Sequence, residues 1–136
     1  MQAVEYSPRA LRPMTSLADI ERAVAESDHH PVLIFKHSAT CGISAYAYEE
    51  IEAWLGQRPS ERITVALVDV HANRDVARAV SARWNVRHES PQILLVHGGL
   101  VPWHTSHSGV TATAIDRALM AVGTGMAQES AGRSNP

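Results

Sequence analysis

Apolar residues along this chain alternate between helical spacing and short unbroken runs. Leu17, Ile20 and Val24 recur at helical intervals, the pattern of a helix that buries one stripe. Thr15 and Ser16 precede them as hydroxyl caps, with Asp19 and Glu21 near the positive end of the dipole. The stretch from Ser27 to Pro31 breaks that helix. Val32-Leu33-Ile34-Phe35 is a continuous apolar run, as expected of a strand covered on both faces. A second helix is predicted from Cys41 to about Leu55, with Tyr48, Ile51 and Leu55 on one face and Gly56 as its stop. Ile63 to Val70 predicts a second strand. Asn73 is placed to cap a third helix whose inner face is Val76, Val80 and Trp84. Pro91 to Val96 predicts a third strand, and His97-Gly98-Gly99-Leu100 a hairpin. In the fourth strand, Val101 to Ser106, Pro102 points to a sheet edge. Thr111 caps a last helix with Ile115, Leu119 and Val122 inward.

The resulting order is α-β-α-β-α-β-β-α. Two strands joined through a helix are parallel with a right-handed crossover, and the hairpin adds two antiparallel strands. An α/β fold with a central four-stranded mixed sheet flanked by helices on both faces is therefore predicted. One domain spans residues 15–124. Residues 1–14, with Pro8 and Pro13 and no period, are expected to be a flexible lead-in, and residues 125–136 a disordered tail.

Composition narrows the function. The 136 residues are 45% hydrophobic and 19% charged, with a formal net charge of −2. Such a balance offers no electrostatic basis for binding nucleic acid or an anionic membrane. The N-terminal residues lack the basic and apolar regions of a secretory signal, and no apolar run is long enough to span a bilayer. The sole cysteine, Cys41, excludes an internal disulfide framework and fits a reducing cytoplasm. Eight histidines are present, but their spacings are not those of structural zinc, and no metal is expected. Trp54, Trp84 and Trp103 are expected to pack, with Trp103 partly exposed on the hairpin. Asp69 and His71 offer either a titrating couple near the sheet's end or, the preferred reading, solvated loop residues, and Glu49, Glu50 and Glu52 read as the wet face of their helix.

The chemistry converges on Cys41. A lone cysteine is more often a buried structural residue. This one stands between the end of a strand and the start of a helix, where orphan N–H groups and the dipole favour thiolate, the nucleophilic form. Lys36 and His37, just upstream, are expected to add positive charge. Ser44, one helical turn on, and Thr40 are expected to offer hydroxyls to the sulfur.

The stretch Phe35-Lys36-His37-Ser38-Ala39-Thr40-Cys41-Gly42-Ile43-Ser44 resembles the active-site segment of the YtxJ-like monothiol bacilliredoxins, usually Thr-Cys-Pro-Ile-Ser. Ser90-Pro91-Gln92 is similar to that family's cis-proline segment, and His97 to His107, followed by Val110-Thr111, to its hairpin and last helix start. The resemblance covers roughly residues 15–122 and implies a thioredoxin-like fold. It further implies a thiol–disulfide oxidoreductase that removes bacillithiol from S-thiolated client proteins through Cys41. In that chemistry no cofactor is tightly bound. A low-molecular-weight thiol is co-substrate, and another redoxin or reductase is a partner. Ser44 stands where a dithiol enzyme has its resolving cysteine, and Ser90, Pro91, Gly42, Ile43, Lys36 and His37 would contact substrate. Gly42 replaces the family's usual proline, so Cys-Gly-Ile-Ser is also similar to the Cys-Gly-Phe-Ser of monothiol glutaredoxins. That likeness implies an alternative: glutathione as the thiol, or an iron–sulfur carrier using Cys41 with an external thiol.

Overall fold

In the computed structural model, which describes residues 11–57 and 62–123, the chain forms five strands and four α-helices. They are β1 (Arg12–Pro13), α1 (Leu17–Glu26), β2 (Val32–His37), α2 (Gly42–Gly56) and β3 (Thr64–Asp69). After them come α3 (Arg74–Trp84), β4 (Gln92–His97), β5 (Leu100–Ser106) and α4 (Ala112–Ala121). A 3₁₀ turn, His107–Gly109, joins β5 to α4. Strand order in the sheet is β1-β3-β2-β4-β5. β2 lies at the centre, parallel to β3 and antiparallel to β4, which explains why Val32 to Phe35 is apolar without alternation.

Strand alternation divides the core in two. Leu33 and Phe35 pack with Ile51, Trp54 and Leu55 of α2 and Ile115 and Leu119 of α4. Val32 and Ile34 pack with Ile20 and Ala23 of α1 and Val76 and Val80 of α3. Side chains of this size contribute about 1.5–3 kcal/mol each when fully buried, so the two layers hold the sheet from both sides.

Local signals account for most of the element ends. Ser16 Oγ accepts from Asp19 N–H and the Asp19 carboxylate returns to the Ser16 N–H, a reciprocal cap. Thr111 Oγ1 accepts from Ala114 N–H. Gly98 and Gly99 have φ of 59° and 80°, the two positive values that a two-residue turn between antiparallel strands requires. β5 is an edge strand, consistent with Pro102.

Several expectations change. The sheet has a fifth strand: Arg12 and Pro13 pair with Ala66 and Leu67, and Met14, which is buried, donates its N–H to Leu67 O at 2.8 Å. Residues 11–14 are therefore part of the fold; two residues, one of them proline, carry no period that could announce a strand. The rest of the expected lead-in and the expected tail lie outside the described residues. Leu17 is 54% exposed, and Ala23 fills the inward position beside Ile20. Gly56 is the last helical residue of α2, not a stop beyond it. Asn73 is the N-cap of α3, but its side chain donates to Thr15 O (3.4 Å) instead of capping the helix. Glu50 is not simply solvated, because its carboxylate accepts the Ala112 N–H at 2.9 Å and so caps α4 from α2.

Candidate active site

Cys41 is the N-cap of α2. Its extended backbone (φ −110°, ψ 124°) breaks from the helix while its carbonyl accepts Ala45 N–H at 3.0 Å. The preceding turn closes through Cys41 N–H donating to Ser38 O at 3.2 Å. The residue is half-buried. Three residues separate the end of β2 from the cysteine, so the central strand of the sheet fixes where the sulfur stands.

Ser44 occupies the N3 position of α2 and is fully buried. Its Oγ accepts the Ser38 N–H at 2.9 Å and lies 2.9 Å from His37 Nδ1. The hydroxyl expected at the sulfur is thus engaged with the loop and with His37. His37 lies between Phe35 and Tyr48, with ring centroids 5.7 and 5.0 Å away. Burial pushes its pKa down, against smaller upward pulls from Asp69 and the Ser44 backbone. It is therefore a neutral hydrogen-bonding group at neutral pH, not the positive charge expected beside Cys41.

Lys36 departs further from expectation. Alternation along β2 puts it on the face of Ile34, toward α3. Its Nζ donates to Ser81 Oγ at 2.6 Å and lies 3.1 Å from His88 Nδ1. The side chain is fully buried, and desolvation lowers its pKa to about 8. Its ammonium is held by α3 and the loop before β4, and not by the cysteine turn.

Thr40 is exposed, and its Oγ1 lies 3.2 Å from Ser38 Oγ and 3.3 Å from His71 Nε2. His71 also reaches Ser38 Oγ at 3.1 Å. It is thus joined to the cysteine loop and is not merely a solvated loop residue. Separations of 31 and 33 residues hide this approach, which appears only once β2 and β3 lie side by side.

The Ser90–Pro91 peptide bond is cis. Pro91 O accepts His107 N–H at 2.8 Å, while Ser90 Oγ is buried without a hydrogen-bond partner among the described residues. Gln92 Nε2 donates to Arg87 O at 2.8 Å. Glu89 accepts from Ser106 Oγ at 2.5 Å and meets His107 Nε2 at 3.0 Å. His107 itself has a positive φ of 55°, an uncommon conformation outside glycine. The sequence flagged none of His88, Glu89 and His107 as site residues, since histidines next to a hairpin look like ordinary surface residues.

Beside Cys41 opens a groove of about 310 Å³, with Gly42, Ile43 and Tyr46 of α2 on one wall and His107, Val110 and Thr111 on the other. Ile43 and Tyr46 are 52% and 70% exposed. A Cβ built on Gly42 would meet nothing within 4 Å, so this end of α2 is open. Among the described residues no three His, Cys, Asp or Glu side chains are grouped to hold a metal ion, and no helix is long and apolar enough to cross a membrane.

Comparison with known proteins agrees with this geometry. A solved structure described as a candidate oxidoreductase with a thioredoxin fold is 27% identical, with a TM-score of 0.74; the match covers 83% of this chain and 96% of that one. The thioredoxin of Fasciola hepatica is 20% identical, with a TM-score of 0.67 and coverages of 82% and 98%. The Trypanosoma brucei brucei thioredoxin is 14% identical, with a TM-score of 0.68 and coverages of 90% and 96%. The last two show the shared fold. The family described as monothiol bacilliredoxin BrxC matches residues 12–115, a span that contains the cysteine turn, Ser90-Pro91 and the hairpin. The chain therefore belongs to the monothiol bacilliredoxin family, thiol oxidoreductases built on the thioredoxin fold.

Proposed function

We propose that the protein removes bacillithiol, or a similar small thiol, from protein mixed disulfides through Cys41. The observation that carries this reading is the position of the sole cysteine: half-exposed, at the N-cap of a fifteen-residue helix, beside an open groove. The thiolate is the nucleophilic form of a cysteine. The thiolate attacks the sulfur of the small thiol in the mixed disulfide. A new disulfide joins Cys41 to the small thiol, the old disulfide breaks, and the client leaves as a thiolate that takes a proton from water. A second molecule of the small thiol then attacks the cap, leaving as the small-thiol disulfide and freeing Cys41; a redoxin or reductase partner would serve the same step.

The lack of a second cysteine supports external resolution, because no internal disulfide can form. Gly42 and Ile43 line the groove that would receive the client or the small thiol, and Ser90-Pro91 opens the strand paired with β2. The reaction needs no tightly bound cofactor. It suits a reducing compartment, and we assign the protein to the cytoplasm.

Mass spectrometry tests the proposal. With a bacillithiol-capped client, wild type should release free client thiol and gain the mass of one small thiol, and Cys41→Ser should do neither, since a hydroxyl is a poor nucleophile without an activating base. A glutathione-capped client run in parallel identifies the preferred thiol. An unmodified wild-type protein with both caps defeats the redox reading. Visible absorbance of anaerobically purified protein with thiol present would instead support the cluster-carrying alternative that the Cys41-Gly42 pair suggests.

A further inference from the structure

The turn that carries Cys41 is held from two sides. From α2, Ser44 Oγ takes the Ser38 N–H. From the other side comes His71, in the loop between β3 and α3. Asp69, the last residue of β3, pairs in register with His37 at the end of β2. Its Oδ1 accepts the backbone N–H groups of His71 (3.0 Å) and Ala72 (3.1 Å). Those bonds, with His71 and His37 nearby, hold the carboxyl below its ordinary pKa against a smaller effect of burial. The loop is thereby fixed with the His71 ring over the neighbouring β2–α2 turn.

There, His71 Nε2, Ser38 Oγ and Thr40 Oγ1 form a triangle with sides of 3.1, 3.2 and 3.3 Å. Ser38 is buried and uses every polar group inside the site: N–H to Ser44, carbonyl from Cys41, hydroxyl to His71 and Thr40. Thr40 is the residue immediately before the nucleophile. Without His71, the two hydroxyls have only each other and water, and the turn loses its outer anchor.

We propose that His71 is a positioning residue for Cys41, holding the Ser38–Cys41 turn through Ser38 and Thr40 so that the sulfur stays over the N-terminus of α2. It acts as a hydrogen-bonding group at the ring nitrogen and exchanges no proton with substrate. A displacement of about 1 Å at a reacting atom can cost far more in rate than in stability, so the loss should appear at the sulfur.

The inference rests on Cys41 being the nucleophile but not on the identity of the small thiol. The test therefore uses iodoacetamide, which needs no client. His71→Ala should slow Cys41 alkylation at neutral pH by roughly two- to tenfold, the worth of one ordinary hydrogen bond. His71→Gln, whose amide can meet the same hydroxyls, should restore the wild-type rate. Thr40→Val should slow the reaction too, and the double variant His71→Ala/Thr40→Val should fall no further than the slower single one. Wild-type rates in His71→Ala, failure of glutamine to rescue, or additive losses in the double variant would each overturn the proposal. Should dethiolation of capped clients fail while this alkylation pattern holds, the substrate assignment falls and the positioning role stands.

Discussion

Ser44 Oγ lies 2.9 Å from the Ser38 backbone nitrogen and 2.9 Å from His37 Nδ1, so one buried hydroxyl ties α2 to the loop it follows. Removing it strands the buried Ser38 N–H, which costs about 1–3 kcal/mol. Ser44→Ala should lose stability in that range by urea denaturation. Ser44→Cys should differ in kind. The N-cap and N3 positions are one turn apart, so a thiol at 44 can attack the capped Cys41 and expel the small thiol. Mass spectrometry should then show a loss of two hydrogens in place of the wild-type adduct.

Gly42 is the first helical residue of α2, with open space around its Cα. Proline is well suited to a first helical position, where no intrahelical donor is lost. Cys41, at φ −110° and ψ 124°, already has the extended backbone favoured before proline. Gly42→Pro should keep the fold and raise stability by about 0.4–1 kcal/mol, chiefly by restricting the unfolded chain. A lower melting temperature would mean the helix start cannot take the ring.

Lys36 should make stability rise with pH. Its folded pKa of about 8 lies below its ordinary value of 10.5. Between these values the unfolded chain binds more protons than the folded one, so raising pH through that window favours folding. Below it the burial penalty is present in full; above it the penalty is gone. The stability difference between Lys36→Met and wild type should therefore shift toward wild type by about 3 kcal/mol from pH 8 to pH 10.5. Chemical denaturation of both proteins across that window is the measurement, and a flat difference would contradict the assignment.

His37 and His88 work in the opposite pH range. Burial lowers both below their ordinary 6.5, and for His88 the nearby Lys36 and Arg78 add to the effect. As pH falls through 6.5 the unfolded chain is protonated first, so stability drops. His88→Asn should flatten that fall between pH 7 and 5 in denaturation curves.

Much of the fold was legible because its signals are local. The unbroken run Val32 to Phe35 marks a central strand, Gly98-Gly99 a tight hairpin, and Ser16 and Thr111 the starts of their helices. β1 was hidden because two residues have no period and its partner lies more than fifty residues away. The place of Cys41 at a strand-to-helix turn was legible, and the contacts around it less so. Lys36 is two residues after Ile34, and alternation alone assigns it to the α3 face; its nearness in sequence to Cys41 suggested otherwise. The roles of His71 and His107 depend on β2–β3 and β4–β5 pairing, which brings distant loops to one end of the sheet.

Both outer strands of that sheet contain a proline, Pro13 in β1 and Pro102 in β5, and β1 is only two residues long. Proline offers no N–H to an approaching chain, and edges with such gaps resist annexation by another strand. Neither flank therefore makes a good template for an extended polypeptide from a partly unfolded neighbour. For the thiol-capped clients proposed above, approach is thereby directed to the end of the sheet where Cys41 lies, and away from its sides.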